Sequence, residues 1–324
     1  MASLKFNNIY LNDYLTVSGP LESNSKLKKI EFKMNDYYYG EKTFEQAEAK
    51  MQRVVIDEIL SKNGLEYSNI DILIGGDLLD QISATGYASK DIPISLLGIY
   101  SACATFPETL IIGSLALNEK NIKQVLGVTS SHNLTAERQF RYPIEYGSPK
   151  PHTSTFTTTA GISTLMSKKD GNIKIESATI GKTIEMGISD ANNLGAVMAP
   201  AAADTLYNHL KDLKRDLDYY DLILTGDLGC IGSNIFKEYC KINYNLKLKR
   251  HLDAGCELYL KSQETYSGGS GPACLPLVLF NKILPSKKYK KILIIGTGAL
   301  HSKTFINQKN PIPAIAHAVS LEVI

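Results

Sequence analysis

Asp71-Ile-Leu-Ile-Gly-Gly-Asp77-Leu and Asp221-Leu-Ile-Leu-Thr-Gly-Asp227-Leu stand 150 positions apart in a chain of 324 residues. Each is a short apolar run ending in Gly-Asp, the pattern of a buried strand running into a loop. Ser83 and Ser233 keep the same offset, and the surroundings repeat as well. Before the first copy, Phe44, Ala47, Met51, Val54, Val55 and Ile59 fall at helical spacing behind a Thr43-x-x-Gln46 capping box, with Gly64 as the stop. Before the second, Pro200 is expected to open an Ala-rich helix with Leu206, Leu210 and Leu213 on one face. After the copies, Tyr100-Ser-Ala-Cys103-Ala and Gly268-Gly-Ser-Gly-Pro-Ala-Cys274 each enter an apolar run that leads to a β-like one, Val125 to Thr129 and Ile292 to Gly296.

Strands alternating with helices imply right-handed βαβ units and a mostly parallel sheet in each half. Between the halves, β-like stretches Ile162 to Met166 and Ile173 to Lys182 flank an Asp170-Gly turn, with no Pro- or Ser-rich linker. The reading is two α/β halves, residues 1–183 and 184–324, packed closely around a cleft where equivalent loops meet.

Composition bounds the function. Apolar residues make up 44% and charged residues 21%, ordinary globular usage. With 35 basic and 33 acidic residues the net charge is +2, which is no nucleic-acid footprint. No apolar run approaches the roughly 20 residues of a membrane span, and no signal peptide is expected. The five cysteines are odd in number and lack a C-x-x-C pair, so neither a disulfide framework nor a zinc knuckle is expected, and a reducing compartment is the default.

Four features carry chemistry. Cys103 starts a helix after an apolar run, where backbone N–H groups favour a thiolate, or it is a small buried thiol. Thr129 to His152 sets Ser131, His132, Arg138, Arg141, Lys150 and His152 among Phe140, Tyr142, Tyr146, Glu137 and Glu145. Such a segment suits a planar ligand bearing carboxylates, or a subunit interface. Asp77 and Asp227 lie at equivalent strand ends, as ligand-facing groups or as caps. Gly268-Gly-Ser-Gly271 reads as an anion-binding nest or a plain turn. Lys287, Lys288, Lys290 and Lys291 form a solvated turn or face an acidic surface.

The duplicated halves with a Ser-Ala-Cys-Ala turn in the first resemble the thiolase fold of thiolases and ketoacyl synthases. The resemblance implies two βαβαβαββ-type halves in a layered αβαβα body, with Cys103 at the nucleophile's position. Departures stand in the second half. Asp227 occurs where type-III synthases carry a histidine, Gly268 to Gly271 where they carry an asparagine, and Ile294 where thiolases carry a second cysteine. Without those donors, condensation lacks its oxyanion support, so no enzyme activity is expected.

A closer resemblance rests on Thr129-Ser-Ser-His-Asn-x-Thr-Ala-Glu-Arg-Gln-Phe-Arg-Tyr-Pro-x-Glu-Tyr-Gly147, Gly76-Asp-Leu-Leu79, Met198-Ala-Pro-Ala-Ala-Ala-Asp-Thr205 and Leu222 to Leu228. These are similar to the stage V sporulation protein AD family of spore-forming Firmicutes, from about Tyr10 to Glu322. The resemblance implies a noncatalytic binder of dipicolinic acid, free or as its calcium complex, that works with membrane proteins of the same sporulation operon. It also implies a cytoplasmic chain held peripherally at the forespore or spore inner membrane, and a homodimer. No cofactor is expected. The ligand would meet Asp77, Cys103, Ser131, His132, Arg138, Arg141, Tyr142, Lys150, His152 and Asp227, with Asp77 or Glu145 completing a calcium shell. The alternatives are an acyltransferase using Cys103 and a structural adaptor of a membrane complex.

Overall fold

The two Gly-Asp octapeptides are parallel strands at matching places in one duplicated sheet. The computed structural model describes residues 1–140 and 150–324. The first repeat runs β1 (Ala2–Lys5), β2 (Tyr10–Ser18), α1 (Pro20–Ser23), β3 (Phe32–Lys33), α2 (Phe44–Lys62), β4 (Ile72–Gly76), α3 (Ser83–Ser89), β5 (Ser95–Gly98), α4 (Thr105–Ala116), β6 (Gln124–Ser131), α5 (Asn133–Phe140), β7 (Phe156–Thr157) and β8 (Ala160–Ser167). The second runs β9 (Ile173–Ile180), α6 (Leu194–Leu213), β10 (Leu222–Thr225), α7 (Gly229–Tyr244), β11 (His251–Asp253), α8 (Ala254–Leu258), β12 (Gly269–Ser270), α9 (Cys274–Val278), β13 (Lys291–Ala299), α10 (Lys303–Asn307) and β14 (Ala314–Val323).

The main sheet is ordered β11-β10-β13-β14-β9-β2-β8-β6-β4-β5. Counted from its outer edge, each half visits its third, second, fourth, fifth and first strand. The two first strands, β2 and β9, meet antiparallel at the centre through Tyr10 opposite Lys174 and Leu11 opposite Ile173. By this order β9 belongs to the second repeat, which sets the junction in the turn 168–172, ahead of the 183/184 boundary drawn from sequence.

Helix α2 lies on β2, β6 and β8, α6 lies on β9, β13 and β14, and α4 touches β4 and β6 of its own half and β13, β14 and β9 of the other. A helix covered on both sides needs no polar face, and Phe106, Leu110 and Ile111 of α4 share a core with Phe280, Ile292 and Ile294. The result is the layered helix–sheet–helix–sheet–helix body that the thiolase-fold resemblance implies.

The duplication extends to single hydrogen bonds. Asp71 accepts the N–H groups of Lys123 (2.7 Å) and Gln124 (2.9 Å) at the start of β6, and Asp221 accepts those of Lys290 and Lys291 (both 2.9 Å) at the start of β13. The opening Asp of each octapeptide therefore pins the entry of the neighbouring strand.

Three local expectations differ from the structure. Pro200 lies inside α6, which begins at Leu194, because the helix gains its first turn from the segment after Asn193. The apolar run after Gly271 is one turn of α-helix, Cys274–Val278, that passes into a π-turn at Leu279–Ile283 and a 3-10 turn at Leu284–Ser286. Cys230 and Cys256 are joined in a disulfide, against the expectation from cysteine count. The pair is 26 residues apart in sequence and is brought together by the starts of α7 and α8, a proximity no linear spacing announces. Among the described residues no helix is long and apolar enough to cross a membrane.

Candidate functional site at the repeat interface

Strands β4 and β6 run parallel to each other, as do β10 and β13, and the loops of the two repeats meet where Gly298 of β13 packs on Ser101 and Gly271 packs on Ser131. Cys103 enters here on a sharp turn. Ala102 has φ +50°, a left-handed conformation unfavourable for a residue with a Cβ. The turn is held by the Thr105 hydroxyl, which donates to Ala102 O (2.7 Å) and accepts from the Ser101 N–H (3.1 Å). It also rests against β13: a Cβ at Gly298 would stand 2.2 Å from Ser101 O, so only glycine permits the approach.

Asp227 enters from the second repeat and is likewise left-handed, with φ +73°. Its side chain is buried, and neither carboxyl oxygen has a hydrogen-bond partner among the described residues. The contrast with Asp77 is instructive. Asp77 accepts from Leu79 N–H (2.8 Å), Thr85 N–H (2.8 Å) and the Thr85 hydroxyl (2.7 Å). In the second repeat the residue at the offset of Thr85 is Ile235, which has no hydroxyl. The N–H at the offset of Leu79, that of Gly229, goes to Asp253 instead (3.0 Å). Asp253 also accepts from the Thr225 hydroxyl (2.8 Å) and Cys256 N–H (3.2 Å), and Asp227 is left without donors.

The electrostatics follow from this burial. Burial, with Asp253 nearby, holds the Asp227 carboxyl well above the usual carboxylate range, against the pull of the Gly271 N–H. Burial raises Asp253 to about 7. Burial and the adjacent Asp227 carboxylate push the Cys103 thiol well up, and only the Gly271 and Cys103 N–H groups oppose them. No histidine is among the groups that act on this thiol. Cys274 is raised in the same way. Helix-start placement, which favours a thiolate, loses to desolvation and a neighbouring acid.

Ser131 joins this cluster. Its hydroxyl donates to Thr158 O (2.7 Å), and a Cβ at Gly271, whose φ is +106°, would lie 2.6 Å from that hydroxyl. Ala136 and Phe140 of α5 pack with Leu78, Ala102, Cys103 and Leu300, giving the cluster an apolar wall. The structure therefore brings together Cys103, Ser131 and Asp227.

The other expected residues lie around them. The His132 ring is buried; Nε2 is 2.8 Å from Tyr37 O, Nδ1 accepts Leu134 N–H (3.2 Å), and Phe44 stacks on it. Burial lowers its pKa to about 4, so it is a neutral, satisfied group. Arg138 is half exposed, pairs with Glu45 (3.0 Å) and lies over the Phe44 ring. Lys150 pairs with Glu137 (2.7 Å) and lies over Tyr266. His152 is exposed. Arg141, Tyr142 and Glu145 lie outside the described residues. Asp77 has its oxygens occupied by three donors, and among the described residues no group of three or more His, Cys, Asp or Glu side chains is arranged to hold a metal ion.

Sequence reading missed Cys274 and Gly271 as neighbours of Cys103, and Asp253 as the neighbour of Asp227. Asp253-Ala-Gly-Cys256 carried an N-cap signal, and the Asp253 side chain does accept from Cys256 N–H, but nothing in the spacing linked it to Asp227. Also missed was a buried network behind Asp77. Glu48 accepts from the Ser130 (2.9 Å) and Thr135 (2.7 Å) hydroxyls, and Gln52 donates to Thr85 and Ser130. Burial and Asp77 raise Glu48 to about 8.

A duplicated sheet with a cysteine at the start of its central buried helix defines a thiolase-like fold, and solved structures agree. An OleA variant from Xanthomonas campestris bound with cerulenin aligns with TM-score 0.64 and 15% identity over 98% of this chain and 97% of that one. The 3-oxoacyl-(acyl carrier protein) synthase III of Aquifex aeolicus VF5 aligns with TM-score 0.53 and 13% identity over 99% of both chains. The profile described as stage V sporulation protein AD matches residues 2–322. Stage V sporulation protein AD of Bacillus subtilis (strain 168) is 41% identical over 318 residues, 97% of this chain and 94% of that protein. The chain belongs to the stage V sporulation protein AD family.

Proposed function

We propose that the chain binds dipicolinic acid at the Cys103 cleft, free or with Ca²⁺, as a peripheral part of the machinery that loads it into the developing spore, and performs no covalent chemistry. The observation that carries this reading is the protonated character of the cleft. Acyl transfer needs a thiolate, a base to form it and donors at the oxyanion. Here the thiol is pushed up, its neighbour is an acid held above its usual range, and the Gly271 N–H is the backbone group that opposes both shifts. A site of donors with an apolar wall suits a flat dicarboxylate that is bound and released. Family membership supports the sporulation role; the membrane partners and the homodimer belong to the same proposal.

The strained Ala102–Cys103 turn at a helix start favours one competing reading, acyl transfer by Cys103. Isothermal titration with dipicolinate, with and without calcium, separates the two. The expected result is saturable binding that Cys103→Ala retains and Arg141→Ala weakens at least tenfold. Absence of binding under both conditions, together with an acyl adduct on Cys103 after incubation with an acyl thioester, would overturn the proposal.

A further inference from the structure

Strands β11, β10 and β13 are parallel neighbours, so the segments that enter them reach the same edge of the sheet, opposite the cleft. Arg250 precedes His251 beside Leu222, and Lys291 lies beside Asp221. This geometry gathers two sequence-distant runs, Lys247, Lys249 and Arg250 before β11 and Lys287, Lys288 and Lys290 before β13. All six are exposed and none forms an ion pair among the described residues. Arg250 donates to Tyr220 O (3.3 Å), and it and Lys290 lie near enough to the Asp221 carboxylate to help the Lys291 and Lys290 N–H groups hold that carboxyl below its usual range. Of the acids at this edge, Glu176 (2.8 Å) and Glu322 (3.0 Å) pair with Lys291, Asp221 accepts the Lys290 and Lys291 N–H groups, and Asp216 accepts the Tyr219 N–H (3.0 Å). A shallow cavity of about 370 Å³ opens there, lined by Lys247, Lys249, Arg250, Leu248 and the remaining acid, Asp218. The last turn of α7, which feeds this loop, carries Ile242 at 75% exposure.

We propose that this lysine-rich edge docks the protein on an anionic lipid surface with the cleft facing away from the bilayer. The proposal rests on the peripheral membrane placement proposed above and names the face responsible. Five of the six cations are lysines, and no aromatic anchor is exposed among them. Lysine is depleted at protein–protein interfaces, where arginine and aromatic anchors supply the energy. A laterally mobile anionic surface instead rewards summed charge, with a contribution from each Lys or Arg near it. Exposed Ile242, in the turn of α7 that leads into this loop, adds apolar contact at the headgroup boundary.

The test is co-sedimentation of the full chain with vesicles of phosphatidylcholine alone or mixed with phosphatidylglycerol, over a salt series. The variant replaces Lys247, Lys249, Lys287 and Lys288 by Gln, sparing Arg250 and its backbone contact. The expected result is binding only to vesicles containing phosphatidylglycerol, loss of it as salt shortens the screening length, and at least a tenfold fall in the variant. Thermal midpoint and dipicolinate titration of the variant should match the parent, which separates failure of this proposal from failure of the ligand reading. Equal binding to neutral vesicles, or a variant that binds like the parent, would overturn it. Absence of lipid binding with retention on soluble polyglutamate would assign the edge to an acidic protein and overturn it as well.

Discussion

Asp77 and Asp227 occupy the same position of a repeated octapeptide and have opposite fates. The repeat was legible from sequence, because seven of the eight positions keep their character at a fixed offset. The fates were not, because they turn on Ile235 in place of Thr85 and on Asp253, a residue from a different loop, taking the Gly229 N–H. Two substitutions should separate them. Asp77→Asn strands buried donors and should cost about 1–3 kcal/mol in urea unfolding. Asp227→Asn removes none of the donor contacts that fix Asp77 and should cost less than about 1 kcal/mol, while lowering the Cys103 pKa because a carboxyl whose ionisation opposes the thiolate is gone.

The same scale sets the pH dependence. Burial raises Glu22 and Asp253 to about 7 and Glu48 to about 8, so the folded chain keeps protons that the unfolded chain has released. Their stabilising contribution is complete at acidic pH, below the ordinary carboxylate values, and is lost as pH rises through about 7 to about 8. Burial lowers His132 to about 4, and its contribution is lost as pH falls from the usual imidazole range towards that value. Thermal midpoints should therefore decline from mildly acidic to alkaline pH, and Glu48→Gln should flatten that decline; an unchanged slope would mean Glu48 does not hold its proton.

At the scale of elements, α5 shows how much of the Arg-rich motif is structural. Its Thr135 and Arg138 reach Glu48 and Glu45 of α2, Gln139 donates to Leu78 O (2.9 Å) and accepts from Asp80 N–H (2.9 Å), and Phe140 faces the cleft. Sequence reading marked the segment as special, but residue type alone cannot tell a ligand's arginine from one that moors a helix. The Cys230–Cys256 bridge was illegible for a different reason: it depends on α7 and α8 both starting beside Asp253. It closes a 26-residue separation, so Cys230→Ser with Cys256→Ser should lower unfolding stability by about 2–4 kcal/mol in urea. Because both helix starts donate to Asp253, that variant should also weaken dipicolinate binding.

Across the whole molecule, one edge of the sheet is covered and the other is bare. Every residue of β5 is exposed, with Leu96 at 42% and Leu97 at 45%, and Tyr87 and Tyr100 stand exposed nearby. An apolar edge strand left unpaired invites another strand, and a second copy of this chain would present the same one. Sedimentation equilibrium should show a dimer that Leu96→Lys with Leu97→Lys converts to a monomer; a dimer that survives the double substitution would place the interface elsewhere. The architecture was readable because strand and helix periodicities alternate twice in the same order. The 168–172 junction was less so, since β9 pairs with strands of both repeats.

The account's central claim is that the Cys103 cleft binds a ligand and does not react. It is tested most directly by timing the alkylation of Cys103 by iodoacetamide near neutral pH, read by mass spectrometry of the Cys103 peptide, with and without saturating dipicolinate. The account predicts slow labelling, because the thiol is held protonated, and further slowing in proportion to the dipicolinate bound. Rapid labelling that dipicolinate leaves unchanged would contradict it, and would return Cys103 to the role of a nucleophile.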